Sequence, residues 1–506
     1  MKTIAKGDLF RRITLNRERL SSPMYRYPEV FLQNSSWPGD WEGRCILGLT
    51  CLFHAFRGYK KERHSILSQL REIFDHLPEF LNMDGYFGEP VDLTAINEQQ
   101  VSGNSWFIRG LVEYYRIEHK PELLNLIRRV AERFLLPISF AYSHYPLVKR
   151  DLGGVGGHIE GTVTDGWLTS SDIGCAFIAL DAMSEVYDLL LDPRLEEAIR
   201  RVIDSFVAID FVSLQCQTHA TLSCARGVLK FYERTKEKRY LEIAKGIFET
   251  YLQQGMTLDY SNKNWFGRPE TWTEPCCIVD SYILAAKLYE ILGGQHYLTL
   301  ANRIYWNAFR SAQRHNGGAG CNTCLTSDQT SMKAFLFEAY FCCSMRLGEG
   351  LRATVDYAGE YNRTGLHIHL LHEAVYELHS SGYLEVRGDL YKKGPVKFIV
   401  RNLVAPVWVH VYIPSSLPFI LDGAEYTYEN EILTFQVKKR KTIRLYPKPV
   451  SHAEGERNFV GDMLLVKRNP LKGEEPILIH ETPYYYLLDY SRLPNQEEAM
   501  EWKQEI

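Results

Sequence analysis

A change of hydrophobic period near residue 350 constrains this chain more than any other feature. Before it, from about Trp41, apolar residues recur at helical spacing; after it they alternate. The helical part carries a repeat, in which an aromatic closes one helix and an apolar residue eight positions on opens the next. The copies are Tyr115 with Leu123, Tyr187 with Leu195, Tyr232 with Tyr240, and Tyr289 with Tyr297. Short polar turns such as Asp192-Pro193 and Gly293-Gly294 fit between them, so each copy reads as a helical hairpin. The uneven spacing of the copies fits a closed ring with inserts better than a strict solenoid.

The fold class expected is therefore an (α/α)6 barrel over 21–350, counting one hairpin whose pattern is not visible. An antiparallel β-sandwich follows over 351–447, read from alternating runs such as Tyr383–Arg387 and Val396–Val400. Residues 1–20 read as an extended arm with a strand for a later sheet. Residues 448–506 read as a strand near Met463–Lys467 and a polar helical tail. Three inserts are expected to line one mouth of the ring: Asn82–Glu89, the Gly153–Trp167 loop with His158, Glu160 and Asp165, and Leu258–Glu274.

Charge excludes one class of partner. The net charge is −4 and the densest basic run is Lys438-Lys439-Arg440-Lys441, so no nucleic acid is expected. No apolar stretch is long enough to span a membrane. The first twenty residues carry charges throughout, which reads as no signal peptide. With eleven cysteines, an odd number, this points to reduced thiols and a cytoplasmic setting.

Six of those cysteines fall between Trp272 and Glu349. Glu274 and Cys276 can point at one ion from a turning segment, and Cys342-Cys343 can do so with bent local geometry. One oxygen and three sulfurs make a tetrahedral zinc complement, and a metal-held thiolate can serve as a nucleophile. By spacing, a four-cysteine site of Cys321, Cys324, Cys342 and Cys343 competes with it.

The Glu274-Pro275-Cys276 and Cys342-Cys343 motifs resemble those of glycoside hydrolase family 127, the β-L-arabinofuranosidase-like enzymes, of which the chain looks like a divergent member. Trp41-Glu42-Gly43-Arg44, Asp84-Gly85-Tyr86 and Thr218-His219-Ala220 have weaker counterparts in the same order. The resemblance implies an (α/α)6 barrel with β-sandwich domains, and zinc held by Glu274, Cys276, Cys342 and Cys343. It implies a retaining glycosidase with Cys342 as nucleophile, acting on a small L-arabinofuranoside-like glycoside or oligosaccharide. Glu270 is the nearest glutamate for the acid/base, since Leu258-Asp259 stands at the family's position. His219, Trp272, Arg346 and Glu349 are expected around the sugar, and a homodimer is an open option. The chain departs from the family at Asn97-Glu98 and Gly103-Asn104, where histidines are usual, and lacks a sugar-contacting histidine near position 175. A non-catalytic carbohydrate-binding protein with a structural zinc, or a zinc toroid that activates a substrate thiol, are the alternative functions.

Overall fold

A computed structural model describes the chain apart from residues 34–35, 151–156, 158, 330, 379–381, 393, 439–440, 456, 469–484, 487–502 and 506. Among the described residues, twelve of the longer helices build a double ring. In chain order they are α1 (Gly7–Arg19), α2 (Asp40–Ala55), α3 (Lys60–His76), α4 (Glu98–Glu118) and α5 (Pro121–Val130). Then come α6 (Ala179–Leu190), α7 (Pro193–Phe206), α8 (Thr218–Thr235), α9 (Lys238–Gln254), α10 (Pro275–Leu292), α11 (Gln295–Arg303) and α12 (Cys343–Tyr357). The even-numbered helices pack in sequence, α2 on α4 round to α12 on α2, and close an inner ring. The odd-numbered helices lie outside it. This is the (α/α)6 barrel.

The two rings differ in composition for a physical reason. Outer helix α7 has one apolar stripe, with Leu195, Ala198, Ile199, Val202, Ile203 and Phe206 buried and charged residues between them. Its start is fixed by Asp192, whose side chain accepts from Arg194 N at 2.9 Å, and by Pro193 in the first turn. Inner helix α10 is covered on all sides, and Pro275 to Ala286 are all buried. Glycines let inner helices touch backbone to backbone. A Cβ on Gly43 of α2 would lie under 3.0 Å from the α4 backbone at Trp106 and Phe107, and one on Gly227 of α8 equally close to Leu180 and Asp181 of α6.

The hairpin not visible in the sequence is completed by α1, inside the segment read as an extended arm. Lys2–Ala5 is the expected strand, antiparallel to Ala374–Glu377, but Gly7–Arg19 is helical and packs against α12. Its buried face includes Arg12, Asn16 and Arg17 beside Leu9 and Ile13, so no apolar stripe stands out. Helix α12 runs on to Tyr357, so the first sandwich strand starts at Gly359, later than the alternation suggests.

The sandwich pairs a six-stranded sheet with a five-stranded one, and Phe398 meets Phe435 edge-on across them with ring centroids 5.1 Å apart. One of its pairings, Gly365–Ile368 with Val407–Tyr412, is parallel rather than antiparallel. A third sheet joins Ser451–Glu454, Arg457–Val460 and Met463–Arg468, through Lys503–Glu505, to Ser331–Glu338 and Gly320–Asn322 from the barrel. The polar helical tail expected after Lys467 falls largely outside the described residues, as do His158 and Lys439-Arg440. Among the described residues no helix is long and apolar enough to cross a membrane.

The glycine contacts give a paired stability test. Gly43→Ala should lower the unfolding midpoint by an amount equivalent to ~1–3 kcal/mol, because neither helix backbone can yield. Gly246→Ala, in α9 with nothing within 4 Å of the added Cβ, should be neutral or stabilising by up to ~1 kcal/mol in the same urea titration.

Candidate metal centre and cavity

Helices α10 and α12 are neighbours in the inner ring, and their N-termini supply the cluster. Glu274 caps α10 and Cys276 lies in its first turn; Cys342 caps α12 and Cys343 opens it. Cys342 leaves the helix at φ −146°, and this bend lets two consecutive cysteines face one point. Glu274 is held in turn: its N–H donates to Asn262 Oδ1 at 2.9 Å, and Thr273 N–H donates to Asn322 O at 2.8 Å in the strand behind it. Two helix N-termini thus direct their positive ends at the thiols.

One ligand atom from each of Glu274, Cys276, Cys342 and Cys343 lies within 4.8 Å of all the others. Cys343 Sγ is 3.3 Å from both Cys276 Sγ and Cys342 Sγ. Glu274 Oε2 is buried without a hydrogen-bond partner, and burial, then the nearby Cys276, pushes its carboxyl well up from the usual carboxylate range. A buried, unpartnered carboxyl oxygen facing three sulfurs is what a cation at this point relieves. Cys342 is the one of the three thiols that is not fully buried. Hydrogen bonds with Cys276 and then Cys343 lower it to about 6. Cys321 and Cys324 do not join them. Cys321 lines the cavity wall, and Cys324 donates to Asn262 O at 3.6 Å, so the four-cysteine site does not form.

The cluster opens on a cavity of about 410 Å³. Its walls carry Trp37, Trp41, Trp265, Trp272 and Phe341, and its polar groups include Asp40, Arg44, Asp172, Gln217, His219 and Asn264. Arg44 approaches Cys276 Sγ at 3.5 Å, and its Nε donates to both oxygens of Asp40 at 2.9 Å. Arg44 Nη1 also faces His219 Nε2 at 3.4 Å; a guanidinium can only donate, so that nitrogen accepts and Nδ1 carries the proton toward Asp280 Oδ2, 2.8 Å away. Burial keeps His219 neutral by lowering its pKa.

His219 and Trp272 line the cavity. Arg346 and Glu349 do not. One helical turn and more from Cys342, they sit below the cluster, paired with each other and with Asp280, Arg226 and Arg109. Burial would raise the Asp280 carboxyl, but Arg346 and Arg226 hold it well below the usual range. Glu270 is also misplaced by the expectation. Its side chain is 59% exposed and paired with Arg268. Slight burial raises it, yet Arg268 outweighs this and leaves the carboxyl below its ordinary value, the wrong direction for a proton donor. The turn at Gly267–Thr271 carries it away from the cavity that Trp265 and Trp272 line.

Two of the three expected inserts contribute walls, through Gly157 and through Asn264, Trp265 and Trp272. Asn82–Glu89 packs behind them, with Phe87 edge-on to Phe107 at 4.9 Å. The asparagines at the positions where histidines are usual have structural work. Asn97 caps α4, accepting from Gln99 N at 2.9 Å, and Asn104 clamps Phe87 through N–H and C=O at 2.9 and 3.0 Å. Asp40, Asp172, Trp37 and Gln217 carry no local motif that marks them.

Fold and site together define an (α/α)6 barrel with a β-sandwich and a thiol-rich centre at the barrel mouth. No family model matches the chain, and no curated protein matches it in sequence. Solved structures match its fold. One is a glycoside hydrolase, 12% identical, aligned over 92% of this chain and 81% of that one with a TM-score of 0.63. A GH127 β-arabinofuranosidase is 11% identical over 91% and 80%, with a TM-score of 0.62. A GH127 β-L-arabinofuranosidase from Geobacillus stearothermophilus T6 is 11% identical over 92% and 86%, with a TM-score of 0.64. The fold expected from the motifs is the fold found.

Metal analysis tests the centre. The purified protein should carry one equivalent of metal per chain, and Glu274→Gln should weaken binding by more than ~10-fold, the least that loss of even an outer partner does. Cys324→Ser should leave affinity within about threefold, since its thiol lies outside the cluster.

Proposed function

We propose that the protein is a zinc-dependent retaining glycoside hydrolase with Cys342 as its nucleophile, acting on an L-arabinofuranoside-like or related small glycoside. The observation that carries this is the shared position of Cys342. It is a member of the four-residue cluster and, alone among the three thiols there, is partly exposed, on a cavity walled by tryptophans. Three sulfurs and one carboxylate suit zinc, which would keep thiols ionised at neutral pH. Glu274, Cys276, Cys342 and Cys343 are the residues that would hold it.

The chain's own groups supply the rest. The aromatic walls offer ring faces to the apolar side of a sugar, and Asn264 and Gln217 offer hydrogen-bond partners to its hydroxyls. The Cys342 thiolate attacks the anomeric carbon and the glycosidic C–O bond breaks. Water then attacks the same carbon, the C–S bond breaks, and two inversions give retention. The volume of about 410 Å³ suits a mono- or disaccharide better than a long polymer. Eleven free thiols suit a reducing, cytoplasmic compartment. The thiol-activating alternative is less favoured because His219, the histidine lining this cavity, turns one nitrogen to Asp280 and the other to Arg44.

The two adjacent cysteines should separate by function. Cys342→Ser should lower turnover by more than ~1000-fold while keeping the fold, because a hydroxyl is a poor substitute for a thiolate nucleophile. Cys343→Ser should lose metal first and activity as a consequence. Intact-protein mass spectrometry with a mechanism-based glycoside, then peptide mapping, reads the adduct: a sugar on any carboxylate with Cys342 unmodified sinks the cysteine mechanism.

A further inference from the structure

A retaining reaction needs a group that gives a proton to the departing oxygen and takes one from water, and Glu270 cannot reach the cavity. Asp259, at the position where the family places its acid, is no replacement: it is buried in a cage of its own, accepting from Thr257 Oγ1 at 2.5 Å and Ser261 Oγ at 2.9 Å, and does not line the cavity. Among the described residues three carboxyls line it: Asp40, Asp172 and Glu274. Asp40 has both oxygens on Arg44, and Glu274 belongs to the metal cluster.

Asp172 is the third, and its setting is a built one. It lies in the turn after the strand Trp167–Ser170, 5% exposed, with its N–H on Ser170 Oγ at 3.3 Å and its C=O accepting from Cys175 N at 3.1 Å. The turn is tied to the start of α8, where Gln217 N–H donates to Ile173 O at 3.2 Å and the Gln217 amide donates to Asp172 Oδ2 at 3.3 Å. His219, two residues further on, lines the same cavity. Asp172 therefore shares one wall with the groups offered to the sugar, and its charge is close enough to bear on the Glu274 carboxyl of the cluster. Among the described residues the ionisable groups around it include the Glu98–Arg150 ion pair behind Ser170, with Arg150 Nη1 on Ser170 O at 2.6 Å, and the Cys175 thiol, which burial pushes well up towards the neutral form.

On the glycosidase reading above, we propose that Asp172 is the acid/base of this protein, a role taken from a different loop than the one the motifs suggest. In the first half-reaction the Cys342 thiolate bonds to the anomeric carbon, the C–O bond to the leaving group breaks, and the Asp172 proton passes to the departing oxygen. In the second, the Asp172 carboxylate takes a proton from water as the water oxygen bonds to the anomeric carbon. The C–S bond breaks, the thiolate is restored and Asp172 is again protonated. The Gln217 amide holds the carboxyl in place through both.

The test compares leaving groups and nucleophiles in Asp172→Asn and Asp172→Gly, with circular dichroism and metal content measured alongside. Both variants should lose more than ~100-fold on an alkyl glycoside, which needs its oxygen protonated, and far less in the first step on a nitrophenyl glycoside, which does not. A sugar adduct should then accumulate on Cys342 of Asp172→Asn, and azide should restore turnover in Asp172→Gly with a glycosyl azide of retained configuration. Wild-type activity on the alkyl glycoside in Asp172→Asn overturns the assignment. So does an equal loss on both substrates with no adduct and no azide rescue, the signature of a structural role. The same leaving-group signature in Asp40→Asn, with Asp172→Asn unaffected, would move the role to Asp40. If wild-type protein forms no Cys342 adduct, the glycosidase reading itself fails; if it does, and only the Asp172 outcomes fail, that reading stands without this residue.

Discussion

Charge compensation at the barrel axis is the condition on which the rest of the structure depends. A carboxyl and three thiols converge at a buried point, where unpaired anions are intolerable. The fold answers with guanidiniums. Arg44 reaches Cys276, and the Cζ atoms of Arg44 and Arg346 lie 4.3 and 4.4 Å from the ring centroid of the Trp106 indole. His219 stacks on the same indole at 5.6 Å. Behind them Asp280 and Glu349 return negative charge to Arg346 and Arg226, and Arg109 carries the network to Asp181 and Glu185. Asp280 and Glu349 each meet more than one arginine, so the buried charges of the axis are shared and form a single electrostatic unit.

That unit explains the division of labour along α10 and α12. Their first turns hold the cluster, and their next turns hold Asp280, Arg346 and Glu349, which are buried in the ring interior. Tight backbone contact at Gly43 and Gly227 fixes inner helices α2, α4, α6 and α8, and the ligands sit at the N-termini of α10 and α12 in the same ring. The loops supply the walls instead, and these aromatic faces are where a specificity can change without disturbing the centre.

How much of this the sequence discloses depends on whether a feature is local. Glu274, Cys276, Cys342 and Cys343 are legible because each pair lies within one turn of chain and the donor types are uncommon together. The (α/α)6 ring is legible through its hairpin repeat. Helix α1 is not, because its inward face replaces apolar residues with Arg12, Asn16 and Arg17; these are satisfied by Asp8 and Gln313, by Gly317 O and Ser344 O, and by Gln69. A buried polar face reads as a solvated one until its partners are known. Glu270 misleads in the opposite way: nearness in sequence to Glu274 suggests nearness in space, and the turn at Gly267–Thr271 undoes it. Asp40 opens α2 and Asp172 lies in the turn after Trp167–Ser170, so only the assembled cavity brings them together.

The pairing of Lys2–Ala5 with Ala374–Glu377 has a consequence for how the protein is made. In the order of synthesis, the strand that edges the six-stranded sheet emerges before any of the barrel, and its partner emerges only after the last inner helix. Through that interval the segment has exposed backbone groups and no sheet to join. Helix α1 waits too, since it packs against α12, so the ring closes only after α12 has emerged and the edge of the sandwich only after Glu377 has. Barrel and sandwich are therefore not two modules that mature one after the other. They are locked by a clasp fastened late, and a fusion partner or tag placed directly before Lys2 would press on that clasp.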